Sequence, residues 1–408
     1  MNLERQASCA IRGERPVIED RHRYLIALAA KRSRPQSKHT PPVLPYREGA
    51  LKKVRYAVVG AGWISQEAFM PSVDQTENSV ITAIVTGNRA NALKLADFYG
   101  IEHVFGYEQY EEMLGSGVVD AVYIALPNSL HADFAIRAAN AGVHVLVEKP
   151  LATSVAECEA MIAAADRSGA KLMTAYRLHY EPGTVEALDT IRRGDIGDPR
   201  VFISVFSFQS AESNHRLKGE HWGGPLQDIG VYCLNAARHV FSSEPYEAVA
   251  IGGHGHNDPR FAEVEEAICA TLKFPGDRIA TFVASFGAAP LDMYRVIGSK
   301  GELEMSPGFR FETATRLRLT RDGQVTERSF PQVDHFSGQV AYFSDCIRQG
   351  RSPDADGREG LADVRALLAI EAAARTGQSQ QIGSPPCLTQ LSLSAVRAFP
   401  PVERRLVL

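Results

Sequence analysis

Three short segments of the chain carry residue types suited to cradling a phosphate-bearing ligand and handling a polar substrate. The first is Gly60-Ala61-Gly62-Trp63-Ile64-Ser65, a G-x-G-x-x-S pattern. Here Gly60 permits a tight turn and Gly62 lets the backbone approach a pyrophosphate. Ser65 is small enough for a helix to pack close to its strand. Trp63 and Ile64 belong to the same loop, and the helix that follows offers free N–H groups and a positive dipole end to the phosphates. The second segment is Leu126-Pro127-Asn128-Ser129-Leu130-His131, and the third is Glu148-Lys149-Pro150. Each of these follows a strongly apolar run.

The elements around these segments must hold them at one edge. Val54-Arg55-Tyr56-Ala57-Val58-Val59 is rich in β-branched and apolar residues and reads as a buried strand. It leads into the glycine loop and then a helical stretch towards Pro71, the order that gives the pattern its meaning as a dinucleotide-binding fingerprint. Further strands are predicted at 80–85, 104–105, 118–126, 143–147 and 171–175. Helices are predicted at 90–99, 107–114, 130–141 and 154–168. Such alternation predicts an α/β fold with a parallel sheet. Ligands in these sheets sit beyond the carboxyl ends of the strands, where all three segments fall.

The end of the second strand reads on the cofactor. An NAD enzyme usually carries Asp or Glu there for the ribose 2′-hydroxyl. This chain has Thr86-Gly87-Asn88-Arg89 instead. A carboxylate would repel a 2′-phosphate, whereas Arg89 and the Thr86 hydroxyl would hold one. The expected cofactor is therefore NADP.

After residue 200 the pattern changes. Strand-like runs occur at 201–208, 248–252, 266–274, 278–285, 294–297 and 303–305, with few helices between them. Phe274-Pro275-Gly276-Asp277 and Gly298-Ser299-Lys300-Gly301 are turns. A mostly antiparallel sheet follows, one face covered by helices and the other, if apolar, a subunit interface. A helix over 359–376 returns to the first domain. The 408 residues suit two domains rather than one. The expected bounds are an N-terminal arm (1–53), a dinucleotide domain (54–177), an α+β substrate and oligomerisation domain (178–380) and a tail (381–408).

Composition excludes several classes. A net charge of −4 argues against a nucleic-acid partner. No apolar run is long enough to span a membrane. The six cysteines show no C-x-x-C spacing, which fits a reducing compartment and neither a zinc site nor a disulfide scaffold. His254-Gly255-His256 lacks a third ligand nearby, so no metal is expected. The arm has a short apolar run at 24–30, closed by Lys31-Arg32-Ser33-Arg34, a pattern that does not suit an export signal. A cytoplasmic protein is expected, with the periplasm as the alternative. Residues 40–46 hold three prolines and should be stiff and extended, able to lie across a partner or over a bound dinucleotide.

Together, G-A-G-W-I-S, Leu126–His131 and Glu148-Lys149-Pro150 resemble the Gfo/Idh/MocA oxidoreductase family. Ala175-Tyr176-Arg177-Leu178-His179-Tyr180-Glu181-Pro182 and Gln227-Asp228-Ile229-Gly230-Val231-Tyr232 resemble its glucose–fructose oxidoreductase branch, and the similarity runs from about 54 to 380. The resemblance implies a Rossmann domain followed by an open-sheet domain, a small sugar as substrate, and a homodimer or homotetramer formed through that sheet. It implies that Lys149 and Tyr232 are the catalytic pair and that the Lys149–Pro150 peptide is cis. It also implies that Arg177, His179 and Tyr180 line the pocket, with Arg177 near cofactor or sugar.

Sugar oxidation at C1 moves a hydride to nicotinamide and a proton to a base. A free phenol is too weakly acidic to serve as that base at neutral pH, with a pKa of about 10. A nearby ammonium, Lys149, favours its anion. Asp228 shares a helical face with Tyr232 if that segment is helical, and would then orient Lys149 or hold a sugar hydroxyl. Trp222 is open to two readings, closing over the nicotinamide or simple packing. Two positions depart from the branch. Asn214–Glu220, in a pocket-forming segment, is altered, and Asn91 stands where a lysine is suggested for the 2′-phosphate, which leaves that task to Arg89. The expected activity is NADP-dependent oxidation of an aldose to a lactone, coupled to reduction of a second sugar on a retained cofactor; the alternative is a simple NAD(P)-dependent sugar or polyol dehydrogenase that releases NAD(P)H. A non-catalytic NADP-binding regulator would lack the lysine or the proton donor, and both are present.

Overall fold

The computed structural model describes residues 52–255, 257–383 and 391–408. The proline-rich arm, His256, Cys9 and Cys387 lie outside the described residues. The first sheet has six parallel strands: β1 Val54–Val59, β2 Ser79–Val85, β3 His103–Phe105, β4 Ala121–Ile124, β5 His144–Val147 and β6 Leu172–Thr174. Their spatial order is β3-β2-β1-β4-β5-β6. The winding direction reverses between β1 and β4, which opens a crevice beyond their carboxyl ends. The glycine loop follows β1, the Leu126–His131 segment follows β4, and Glu148-Lys149-Pro150 follows β5. The expected strand at 118–126 is shorter, because Asp120 and the residues before it turn to pair with Arg55, and Leu126-Pro127 has already left the sheet.

The helices obey local chemistry. Ser154 accepts from the Glu157 N–H at 3.2 Å and Asn88 from the Asn91 N–H at 3.1 Å, which caps two of them. The helix after the glycine loop begins at Trp63 and widens into a π turn, Ser65–Phe69, before α-helical Met70–Asp74.

The second sheet has nine strands: β7 Pro199–Ser207, β8 Glu247–Gly253, β9 Ala267–Phe274, β10 Arg278–Ser285, β11 Leu291–Gly298, β12 Gly301–Met305, β13 Thr315–Arg321, β14 Gln324–Phe330 and β15 Gln380–Gln381. Its order is β14-β13-β12-β11-β7-β10-β9-β8-β15, and only β7 and β10 run parallel. Period-two alternation sends Phe202, Leu272, Phe282 and Val296 inward against the helix Val231–Phe241. Ile203, Val249, Ile251, Ile279, Val283 and Ile297 emerge on the other face and are exposed.

The helices Pro182–Arg192 and His335–Gln349 and the β13–β14 hairpin extend what the sequence predicts. The hairpin reads TRLRLTR and QVTERSF, so charges mask its strand pattern. The helix predicted at 359–376 spans Gly357–Thr376. Both late helices return to the first sheet. Tyr56 Oη meets Ser344 Oγ at 2.8 Å, and the Thr174 N–H donates to the Ala355 carbonyl at 2.8 Å. The described part of the tail is packed: Leu391 and Ala395 are buried, and the Leu408 N–H donates to Gln66 Oε1 at 2.7 Å. Among the described residues, no helix is long and apolar enough to cross a membrane.

Candidate active site

A cleft of about 920 Å³ lies beyond the carboxyl ends of β1, β4 and β5 and is walled on the far side by the second sheet. At one end is the glycine loop. Gly60 has φ +91°, and a Cβ there would lie 2.5 Å from the Ala125 carbonyl oxygen. A Cβ at Gly62 would meet nothing within 4 Å, so the backbone is open to a ligand there. The first-turn N–H groups of the helix beginning at Trp63 have no carbonyl partners within the helix. This cradle fits a dinucleotide pyrophosphate. Trp63, Ile64, Leu126 and Asn128 line the cleft beside it. Pro127 begins the turn that presents Asn128.

The neighbouring strand end fits a 2′-phosphate. Thr86 follows β2 and accepts from the Asn88 N–H at 3.3 Å. Gly87 packs on the Tyr107 ring. Arg89 is exposed and reaches the Val104 carbonyl at 3.3 Å, with no carboxylate paired to it among the described residues.

At the centre, the Lys149 ammonium donates to Asp228 Oδ1 at 2.9 Å and to the Asp228 main-chain carbonyl at 2.6 Å. The Lys149–Pro150 peptide is cis. Asp228 lies in the π turn Leu226–Gly230, and Tyr232 opens the following α-helix on the same side. Lys149 Nζ is 4.9 Å and the Arg177 guanidinium 4.8 Å from the Tyr232 ring centre. Arg177 is itself fixed, donating to the Phe309 carbonyl at 2.6 Å and meeting His335 Nδ1 at 3.1 Å. Asp292 on β11 anchors that segment by accepting the N–H groups of Gly308, Phe309 and Arg310.

Burial would push the Asp228 carboxyl up, but Arg216 and Lys149 together hold it down to about 2. Burial likewise opposes the Lys149 charge, yet Asp228, Tyr232 and Glu148 leave its pKa above the ordinary lysine value. Glu148 is raised by burial, and the Tyr123 hydroxyl donates to its Oε1 at 2.7 Å.

Three expected site residues lie elsewhere. His131 is fully buried, and its ring nitrogens lie 2.9 Å from the Pro150 and Leu126 carbonyls. It ties two loops together and does not face the cleft. His179 turns into a separate small cavity, stacked on Tyr176 and bonded to Asn235 Oδ1 at 2.9 Å. Tyr180 is core, its hydroxyl 3.5 Å from Met173 Sδ and its ring against Tyr342. Both leave the pocket because the 3₁₀ turn Arg177–Tyr180 directs only Arg177 to the cleft. Trp222 packs: its indole N–H donates to Glu371 at 3.2 Å and its carbonyl accepts from Asn128 at 3.0 Å. Ligand atoms of His179, His239 and Glu359 lie within 4.8 Å of one another. Arg238 donates to Glu359 Oε1 at 2.8 Å and His179 Nε2 is engaged by Asn235, whereas His179 Nδ1 and Glu359 Oε2 are buried with no hydrogen-bond partner among the described residues. Arg216, whose Nε is 3.1 Å from Asp228 Oδ2, was missed because only tertiary folding brings it there.

Known proteins carry the same plan. The Gfo/Idh/MocA model for an oxidoreductase family with an NAD-binding Rossmann fold matches residues 54–176, and the Gfo/Idh/MocA C-terminal-domain model matches 184–304. The chain belongs to the Gfo/Idh/MocA oxidoreductase family. Among its relatives, the D-xylose 1-dehydrogenase [NADP(+)] of Haloarcula marismortui is 33% identical over 79% of this chain and 91% of its own length. The solved aldose-aldose oxidoreductase of Caulobacter crescentus superposes with a TM-score of 0.77 at 37% identity, covering 81% of this chain and all of that one. A 3-ketoreductase from Actinomadura kijaniata, solved with NADP and TDP-benzene, gives a TM-score of 0.73 at 26% identity over 79% of this chain and 98% of its own. This member of the family keeps the Rossmann sheet, the open sheet and the cleft between them.

Proposed function

We propose that this oxidoreductase uses NADP to oxidise an aldose at C1 to its lactone, with Tyr232 as proton acceptor. The observation that carries the reading is the Lys149–Asp228–Tyr232 group at the carboxyl end of β5. When bound, NADP supplies the hydride acceptor. The Gly60–Ser65 loop would hold its pyrophosphate, and Arg89 with Thr86 its 2′-phosphate. An ammonium has three N–H donors. Two of those on Lys149 go to Asp228, so one is left for the sugar oxygen. The C1–H bond breaks with its electron pair, the hydroxyl O–H bond gives its proton to Tyr232, and the carbonyl of the lactone forms. The Lys149 ammonium and the Arg177 guanidinium lie 4.9 and 4.8 Å from the Tyr232 ring centre, so two cations stand beside the proposed proton acceptor. Run backwards, the same group protonates a sugar carbonyl.

NADP dependence and sugar chemistry draw support from the D-xylose 1-dehydrogenase relative. The likeness to an aldose-aldose oxidoreductase favours a second reading, in which the cofactor stays bound and a second sugar is reduced. A homodimer or homotetramer through the apolar outer face of the second sheet belongs to the proposal, supported by exposed Ile203, Ile251 and Ile279. So does a reducing, cytoplasmic setting, supported by four unpaired described cysteines. The test is the near-ultraviolet absorbance of the purified full chain before and after an aldose is added, with and without NADP. Reduced dinucleotide and lactone in equal amounts are expected. Absorbance that rises without added NADP, then falls with a second sugar, selects the retained cofactor. NADP binding without turnover on any aldose overturns the reading.

A further inference from the structure

Arg216 stands on the wall opposite β5, and its main chain is held tightly. Its N–H donates to Asn214 Oδ1 at 3.0 Å, and its carbonyl accepts from the Gly224 N–H at 2.8 Å. A Cβ at Gly223 would lie 2.3 Å from the Arg216 carbonyl oxygen, so only glycine lets the chain double back this closely. The doubling-back brings Arg216 Nε to 3.1 Å from Asp228 Oδ2. The other oxygen of the same carboxylate is 2.9 Å from Lys149 Nζ. One carboxylate thus bridges two cations, and both it and Lys149 are largely buried.

We propose that Arg216 is a positioning residue for hydride transfer, acting through Asp228 to hold Lys149 in place. By occupying Oδ2, Arg216 stops the carboxylate from rotating to take Lys149 in a two-oxygen grip. Lys149 keeps one carboxylate oxygen and one main-chain oxygen, and its third N–H stays free for substrate. Arg216 also keeps Asp228 ionised in a cleft that would otherwise favour its neutral form. The groups facing Asp228 are Arg216 and His215 from the wall, Lys149 from the strand end with Glu148 beside it, and Tyr232 one turn along. Arg177 adds a further cation beyond the Tyr232 ring.

The inference rests on the proposed function, and its test is chosen to separate the two. R216M and R216K are compared with the wild-type full chain. Where the wild type oxidises an aldose, R216M should lose about 100-fold in kcat, the scale of a misplaced catalytic group. The acid limb of its kcat–pH profile should move to higher pH, because Asp228 then protonates more readily. R216K, which restores the cation, should return that limb towards the wild-type position. NADPH affinity, read from dinucleotide fluorescence, should not change in either. Carbodiimide labelling of Asp228, mapped by peptide mass, reads the same change without turnover. At mildly acidic pH, labelling should be faster in R216M than in wild type. Equal labelling rates, a wild-type acid limb in R216M, or losses of kcat, NADPH affinity and melting temperature together would overturn the inference. If R216M does not fold, R216K decides: a kcat loss with unchanged labelling and NADPH affinity is expected, and wild-type kcat overturns the proposal. A wild type inert on every aldose, with Asp228 still labelled faster in R216M, would overturn the proposed function and leave the Arg216–Asp228 link standing.

Discussion

Lys149 gives two of its three N–H donors to a single residue, Asp228, reaching both its carboxylate and its main-chain carbonyl. A lysine held twice by one partner cannot swing, so its third donor has a fixed direction. Replacing Lys149 by methionine removes both the donor and the charge beside Tyr232. K149M should lower kcat by about 10²–10³-fold, the usual loss for a preorganised charge at the reacting oxygen. Steady-state turnover alongside NADPH titration checks this: kcat falls while dinucleotide affinity holds.

Cofactor choice is tested at the end of β2. Arg89, three residues after Thr86, reaches the Val104 carbonyl and has no carboxylate paired to it among the described residues. R89A should weaken NADP binding by about 1.5–3 kcal/mol, the worth of a charge-assisted hydrogen bond, and leave NAD binding unaffected. Adding a carboxylate with T86D should push the preference further towards NAD. Calorimetric titration with both dinucleotides gives the answer. Equal losses for NAD and NADP in R89A would move the 2′-phosphate site elsewhere.

Arg238 is wholly buried and donates to Glu244, Glu359 and Asp363, which ties the helix Val231–Phe241 to the helix Gly357–Thr376. Tyr176 and Asn235 complete the cluster through Asp363. R238M leaves buried carboxylates without their cation. It should destabilise the fold by about 3–5 kcal/mol. Urea unfolding measures the loss, and a variant within experimental error of wild type would mean that the cluster relaxes freely.

Burial, with the neighbouring His239, holds the His179 imidazole down to about 3. An unfolded histidine titrates near 6.5. The unfolded chain therefore binds a proton that the native chain refuses, and native stability falls as pH drops from about 6.5 towards 3. H179Q removes that term. Its urea midpoint should decline less between neutral and mildly acidic pH than the wild-type midpoint, and parallel declines would show that His179 does not contribute.

Much of the cleft was legible in the sequence because its chemistry is local. Gly60, Gly62 and Ser65 are read within one loop, and Lys149 is read from its place at the end of a buried strand. The missing carboxylate after β2 needed only four adjacent residues. His179 and Tyr180 misled for the opposite reason. They sit beside Arg177 in the chain, but a 3₁₀ turn sends neighbouring side chains in different directions, and only Arg177 reaches the cleft. His131 has the residue type of a ligand yet is fully buried, with both ring nitrogens 2.9 Å from backbone carbonyls. Arg216 stayed hidden because its link to Asp228 depends on the close passage of Gly223 past its own carbonyl, which no periodicity encodes.

The central claim is that Tyr232 takes the proton as hydride leaves C1. The most direct measurement is single-turnover oxidation of an aldose carrying deuterium at C1, in wild type and in Y232F. The wild type should show a primary isotope effect on formation of reduced dinucleotide. Y232F should be slower by about 10²–10⁴-fold, with NADP affinity unchanged. Wild-type rates in Y232F would contradict the account.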